Sequence, residues 1–148
     1  MHTAPSYLKW ALVSEEPNNR TVWLAKATPR AWLTPGAAPV VVRRAPTRYG
    51  RVSFVLAAEA PKAGPALRVT ANLSLPATYA GGGGPPGGLR LRLRAAAALA
   101  GRLARVTVGG EAWSAFDAHA ETIDFGPGTL TAARIADMHR IVAEWDAA

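Results

Sequence analysis

The sequence predicts an all-β fold, an antiparallel β-sandwich of about eight or nine short strands with a short C-terminal helix. Several runs alternate apolar and polar residues at period two, which is typical of strands with one buried and one solvated face. Turn-forming residues separate these runs at intervals of roughly ten residues, as they do in sandwiches. Because no repeat or linker divides the chain, residues 1–148 are expected to form a single domain.

The composition is that of a globular chain. Of its 148 residues, 49% are hydrophobic and 18% are charged. The absence of cysteine excludes disulfides, thiolate metal sites and a cysteine nucleophile. We see neither a signal-peptide pattern at the start nor a run of roughly 18 apolar residues, so no membrane partner is expected. The compartment stays open, because secreted bacterial domains often lack cysteine too.

The net charge of +7 comes mainly from arginine. The arginines are spread from Arg20 to Arg140, whereas a nucleic-acid-binding domain usually clusters its basic residues with exposed aromatics. Nucleic-acid binding is therefore an alternative that the pattern does not favour. The stripe of Arg90, Arg92 and Arg94 is expected to be a solvated strand face, with docking on an acidic neighbour as the alternative.

The N-terminal part is predicted to begin with a hairpin. Residues 7–13 are interpreted as a strand, residues 15–19 as a turn and residues 20–27 as the returning strand. A start inside a strand suggests that the chain is a C-terminal fragment of a larger protein. Residues 28–33 then predict one helical turn, with Thr28 as its N-cap and Pro29 in the first helical position.

The middle of the chain alternates strands and turns. Residues 40–42 predict a short buried strand, residues 45–50 a loop and residues 51–58 a strand. Residues 67–75 alternate strictly, with leucine, valine and alanine on one face. The glycine- and proline-rich residues 81–88 predict a flexible loop, which lacks the Gly-Lys-Ser/Thr ending of a phosphate-binding loop.

The last third carries the clearest strand signals. Residues 89–94 alternate leucine and arginine, and Gly109-Gly110 separates two further runs as the two central residues of a type I′ hairpin do. Residues 95–104 are interpreted as a short helix or loop. From residue 129 to 145 the apolar spacing is helical, although residues 140–145 could instead form a closing strand.

No catalytic constellation stands out. The densest polar group is Asp117, His119, Glu121 and Asp124, but the last two fall on opposite faces of one predicted strand, so a structural role is favoured. The acidic residues show no pairing typical of glycoside cleavage, no Gly-X-Ser-X-Gly motif occurs, and the histidines lack zinc spacing. We therefore expect no catalytic residue, no metal site and no cofactor.

Five tryptophans are many for this length. Tryptophan rings can act as platforms for sugar rings, although they are more often core or interface anchors. Trp23 is the first candidate, because its strand face opposes Val22 and Leu24, and Trp32 and Trp113 follow.

The order of several segments resembles a known family. These segments are LKWALVSEEP, TVWLAKATPRAWL, VVRRAPTRYGRVSF, VTANLSLP, LRLRLR, ARVTVGGEAW and ETIDF, between Ser6 and Phe125. They are similar to the C-terminal β-sandwich accessory domain that follows the α-helical toroid catalytic domain in large bacterial glycoside hydrolases and related uncharacterised proteins. Two features depart from the family: Gly109 replaces its usual asparagine, and the tail after Thr129 appears helical.

The resemblance implies a non-catalytic accessory domain that packs on a glycoside hydrolase catalytic domain and contributes loop residues to a carbohydrate cleft. Its most family-like loops carry Trp32, Arg48 and Tyr49. The family's catalytic acids belong to the absent toroid, so no catalytic residue is transferred. An exposed apolar patch should then mark the partner. The alternative is a stand-alone carbohydrate-binding module with Trp23 or Trp113 as its platform.

Overall fold

The computed structural model describes residues 3–147, with side chains from residue 8 onward. Within them, eleven strands form two sheets. The elements are α1 (Thr3–Leu12), β1 (Val13–Glu16), β2 (Thr21–Leu24), β3 (Val40–Thr47), β4 (Gly50–Glu59), β5 (Leu67–Ser74), β6 (Leu89–Arg92), β7 (Leu103–Val108), β8 (Glu111–Ala112), β9 (Phe116–Asp117), β10 (Thr122–Phe125), α2 (Ala132–Asp137) and β11 (Ile141–Trp145). Four 3-10 turns connect them, at Arg30–Leu33, Ala77–Gly81, Ala97–Leu99 and Pro127–Thr129.

The predicted all-β fold with a short C-terminal helix is confirmed. The five-stranded sheet has the order β1-β2-β6-β10-β9, and the six-stranded sheet has the order β3-β4-β5-β11-β7-β8. The strand pairs are antiparallel except for β2 and β6, which run parallel. Neither helix in the described part of the chain is long and apolar enough to span a membrane.

One hydrophobic core draws on both sheets. Phe54 and Trp145 from the six-stranded sheet and Leu91 and Phe125 from the five-stranded sheet are all essentially fully buried. The alternation predicted for residues 67–75 is realised in β5, where leucine, valine and alanine face the core and the intervening side chains are half-buried or exposed. Burying such side chains is the main favourable contribution to folding.

The predicted first strand, residues 7–13, is wrong. Residues 7–12 belong to α1, and the strand begins only at Val13, opposite Leu24. The strand pairing of β1 with β2 stops at Val13 and Leu24, although the Ala25 and Ala27 amides still donate to the Leu12 and Ala11 carbonyls, at 2.7 and 3.0 Å. Leucine, lysine and alanine favour a helix when no tertiary pairing overrides that preference.

Three smaller expectations are also corrected. Residues 45–47 belong to β3, beyond a register shift in which Arg44 has a φ of +52°. Thr28 is not an N-cap, because its hydroxyl donates to the Ala25 carbonyl at 3.4 Å. The glycine-rich loop is exposed at residues 81–83, but its end is fixed, since the Gly87 amide donates to the Arg20 carbonyl at 2.8 Å.

The other turn and tail predictions are resolved. Gly109 and Gly110 both have positive φ, at +60° and +88°, and join β7 to β8 as predicted. In the tail, helix α2 precedes strand β11, so both alternatives for that segment hold in part. The ambiguous residues 95–104 contain a 3-10 turn at Ala97–Leu99 and the start of β7.

Candidate functional site

An apolar groove lies between α1, the 3-10 turn at Arg30–Leu33 and the edge strand β3. Leu8, Leu12, Trp32 and Val41 line it, and it encloses about 410 Å³. Leu8 is 52% exposed, Trp32 37% and Val41 47%. We call this surface the apolar groove.

Local geometry turns these side chains outward. On the 3-10 turn Leu33 is buried in the core while its neighbour Trp32 is exposed. On β3 the side chains alternate, so Val40 faces the core and Val41 faces out. Val41 lies opposite Val55 of β4, which is also exposed, and this extends the apolar surface onto the outer face of the six-stranded sheet.

Basic side chains lie on α1, β3 and β4, three of the elements that carry this apolar surface. Lys9, Arg43, Arg44 and Arg51 are exposed. Among the described residues, none of the four forms an ion pair with an acidic side chain. The Arg51 guanidinium donates instead to the Arg44 carbonyl at 3.2 Å, which holds the Arg51 side chain against the backbone of β3. We call these four residues the basic rim.

Trp23 lies on the outer face of the five-stranded sheet, and cations cover its ring. The Lys26 ammonium lies 4.9 Å from the ring centroid and the Arg90 guanidinium 5.3 Å. The indole N–H donates to Glu16 Oε2 at 3.1 Å, and this bond is the main reason that the pKa of Glu16 lies below its usual range. The Trp23 indole therefore already contacts Lys26, Arg90 and Glu16 of the same chain.

Trp113 is a structural anchor. Its ring lies 5.2 Å from that of Phe125, the Arg134 guanidinium sits 5.0 Å from its centroid, and its N–H donates to the Asp124 carbonyl at 3.1 Å. These contacts tie the segment after β8 to β10. Like Trp23, Trp113 is only partly exposed.

The arginine stripe is not the solvated face that was expected. Arg92 donates to the carbonyls of Ala120 and Lys26, at 3.2 and 3.3 Å, and Arg94 donates to that of Thr28 at 3.2 Å. Arg90 pairs with Asp124 at 3.0 Å. The guanidinium groups of Arg92 and Arg94 therefore hold neighbouring loops against the sheet.

The polar group at residues 117–124 does not assemble into one site. Asp117 accepts hydrogen bonds from the amides of His119 and Ala120, at 2.9 and 3.0 Å, and so stabilises its own turn. Glu121 points into the protein instead. In the described part of the chain, no group of three or more His, Asp or Glu side chains could hold a metal ion.

Glu121 forms a buried clamp that the sequence did not reveal. Its carboxylate pairs with Arg30 at 2.8 Å and accepts a hydrogen bond from the Ala95 amide at 2.8 Å. Arg30 also donates to the Ala95 carbonyl, which closes the ring of contacts. We call Arg30, Ala95 and Glu121 the buried clamp, and its contacts explain how a carboxylate is tolerated in the interior.

A polar pocket opens between the β1–β2 turn and the β3–β4 turn. Glu15, Glu16, Arg20, Arg48 and Tyr49 line it together with Pro17 and Thr21, and it holds about 200 Å³. Glu15 Oε1 accepts a hydrogen bond from the Arg48 amide at 2.8 Å, which joins the two turns. We call this cavity the end pocket.

The predicted site residues thus fall in four places. Trp32 lines the apolar groove, Arg48 and Tyr49 line the end pocket, and Trp23 and Trp113 are engaged at two other positions. Sequence reasoning missed Leu8 and Val41 in the groove. An i, i+4 spacing of Leu8 and Leu12 was the available signal for the groove, since it places both leucines on one helix face.

Comparisons of the chain with protein-family models, with curated proteins and with solved structures find no match.

Proposed function

We propose that this chain is a non-catalytic accessory domain that docks on a neighbouring protein domain through the apolar groove. One observation carries the proposal: four of the five exposed large hydrophobic residues of the described chain lie on the groove and the strand face that continues it. They are Leu8, Trp32, Val41 and Val55, whereas Trp10 lines a different cavity with Ser14 and Lys26. Clustered exposed apolar side chains mark interaction surfaces, whereas isolated ones are ordinary.

The basic rim specifies the chemistry of the partner. Lys9, Arg43, Arg44 and Arg51 lie on α1, β3 and β4 without acidic partners among the described residues. A complementary surface would present apolar side chains at its centre and carboxylates around them. The resemblance supplies the identity: we propose the α-helical toroid catalytic domain of a glycoside hydrolase-like protein.

The test is binding of the purified chain to an isolated α-helical toroid catalytic domain, measured by calorimetry. The change is Trp32→Asp, which places a charge in the groove at an exposed position. We expect at least about a tenfold loss of affinity, because loss of a tryptophan hot spot typically costs about 2 kcal/mol or more and tenfold is about 1.4 kcal/mol. Raising the salt concentration should weaken binding further, since the rim charges are exposed.

Ala112→Asp is the matched control. Ala112 is exposed on β8, the opposite edge strand of the same sheet, so this variant should bind as the unmodified chain does. Equal binding by the Trp32 and Ala112 variants, or no binding by the unmodified chain, would contradict the proposal.

A further inference from the structure

A second cavity lies where the edge of the six-stranded sheet runs beside α1. β3 is the first strand of that sheet and pairs with β4 on one side only. The cavity encloses about 300 Å³, and we call it the edge groove. It is lined by Leu8, Lys9, Leu12, Val13, Val41, Val42 and Ala45. We infer that an extended segment of alternating apolar and acidic residues binds in the edge groove as an additional strand on β3.

The inference deepens the docking proposal and rests on it for the source of the segment. The edge groove shares Leu8, Leu12 and Val41 with the apolar groove, so one partner could occupy both. What the inference adds is the conformation and the residue pattern of the part that pairs with β3. Trp32 does not line the edge groove, so the two interactions can be separated by mutation.

The backbone of residues 40–42 is available for pairing. An edge strand directs alternate N–H and C=O groups away from its neighbour, and these groups are a template for another chain. Within the described chain, residues 40–42 form no hydrogen bond beyond their pairing with β4. A segment laid beside them would satisfy the remaining groups, which is how extended peptides bind to sheet edges.

The irregular second half of β3 limits the length of the segment. The register with β4 shifts between Val42 and Ala45, and Arg44 between them has a φ of +52°. Pro46 then has no N–H to donate. Bulges and prolines are devices that stop edge pairing, so regular pairing is confined to residues 40–42. Because so short a ladder binds weakly, the side chains of the segment must supply the selectivity.

One face of the added strand would meet apolar side chains. Leu12, Val42 and Ala45 line the edge groove, and all three are half-buried and pack against the core. Side chains alternate along a strand, so every second residue of the segment would lie on the same side as Val42. Valine or isoleucine suits these positions, because β-branched side chains fit a pleated, half-buried surface.

The other face would meet basic side chains. Arg43 is exposed two residues after Val41, and Lys9 lines the α1 side of the edge groove. Neither cation forms an ion pair with an acidic side chain among the described residues. Opposite charges on neighbouring strands attract, so glutamate or aspartate at the intervening positions of the segment would supply partners.

Charge also decides between the possible occupants. A second copy of this chain, paired edge to edge, would bring its own Lys9, Arg43 and Arg44 towards those of the first copy, and each copy has a net charge of +7. A nucleic acid would contact the cations but would not use the apolar wall or the strand backbone. An alternating acidic peptide matches all three features.

The experiment is an amide chemical-shift titration of the full chain with a capped peptide of three Val-Glu repeats, up to about 2 mM, followed by hydrogen exchange of the complex. We expect shifts at residues 8–13 and 40–43, and slower exchange of the amides in residues 40–42 that face away from β4. A Val-Lys peptide should bind at least about tenfold more weakly, because its charges repel the cations. A Val-Glu peptide with two central prolines should not bind, since proline cannot donate to β3.

Arg43→Glu tests the charge match within the protein. It should weaken the Val-Glu peptide by about three- to tenfold and strengthen the Val-Lys peptide, because it replaces an attraction between exposed charges with a repulsion. Arg102→Glu is the matched control and should leave both peptides unchanged. Arg102 is also exposed, but it precedes β7, and β4, β5 and β11 lie between β7 and β3. Amide dispersion will show that both variants fold.

Trp32→Asp separates this inference from docking, since it should weaken docking of the toroid domain and leave peptide binding unchanged. Docking without any binding of the Val-Glu peptide would overturn the edge-groove inference alone. Peptide binding without docking would overturn the docking proposal alone. Equal binding of the Val-Lys or proline peptide, tighter binding of a thymidine hexanucleotide, or dimerisation of the chain that protects the same amides would also overturn the inference.

Discussion

Replacing Glu121 with alanine should strongly destabilise the fold through loss of the buried clamp. Glu121 is 1% exposed, and its carboxylate contacts the Arg30 guanidinium and the Ala95 amide, each at 2.8 Å. The alanine variant leaves a buried N–H without an acceptor and Arg30 without its counter-charge. The unsatisfied amide typically costs about 1–3 kcal/mol, and because the Arg30 side chain is 31% exposed the total should stay below the roughly 3–5 kcal/mol of a fully buried ion pair. Small domains are stable by about 5–15 kcal/mol, so the free energy of unfolding should fall by a large fraction.

The measurement is urea unfolding followed by tryptophan fluorescence, with Glu121→Gln as a second variant. Glutamine can still accept the hydrogen bond from the Ala95 amide, so the glutamine variant should lose less free energy of unfolding than the alanine variant. Glu111→Gln is the control, because that side chain is 77% exposed and its contact with Arg134 is 3.6 Å long. It should change the free energy of unfolding by less than about 1 kcal/mol. A loss below about 1 kcal/mol for Glu121→Ala would refute the reasoning.

Three further predictions concern stability. Hydrogen bonds from Arg105 and then Arg68 lower the pKa of Glu144 in the fold, so this carboxylate stabilises the protein above the usual Glu pKa of about 4.3, and that stabilisation is lost as the pH falls through the lowered pKa. Glu144→Gln should therefore reduce the decline of the free energy of unfolding at acidic pH, and an unchanged decline would contradict this. Gly109→Ala should lower the melting temperature more than Gly110→Ala, because both have positive φ but only a Cβ at Gly109 would overlap Asp137; equal losses in calorimetry would argue against it. Trp145→Phe removes buried ring atoms, but it also removes a buried indole N–H that has no partner among the described residues, so the free energy of unfolding in urea should fall by less than about 3 kcal/mol. A larger fall would contradict this explanation.

The fold was predictable where apolar and polar residues alternate along the chain. Strands β5 and β6 bury every second side chain, so their residue pattern and their structure agree directly. α1 was not predictable in the same way, because Leu8, Trp10 and Leu12 satisfy a strand pattern while Leu8 and Leu12 also satisfy a helix spacing. The end of β2 decides between them, and that is a property of the pairing rather than of the local sequence.

The candidate site was predictable only in part. The family resemblance drew attention to Trp32, Arg48 and Tyr49, and these residues do line cavities. The companions Glu15 and Arg20 in the end pocket lie on another turn, far away in sequence. The sheet topology brings the two turns together, and no short-range pattern encodes that proximity.

The position of β11 has a consequence for how the protein is made. Residues 141–145 pair with β5 on one side and β7 on the other, so the last strand of the described chain lies inside its sheet rather than at an edge. During synthesis the sheet therefore stays split into β3-β4-β5 and β7-β8 until these residues emerge, and each part exposes an unpaired strand. Such exposed edges invite pairing with other chains, so the nascent protein should be most vulnerable to aggregation just before residues 141–145 emerge.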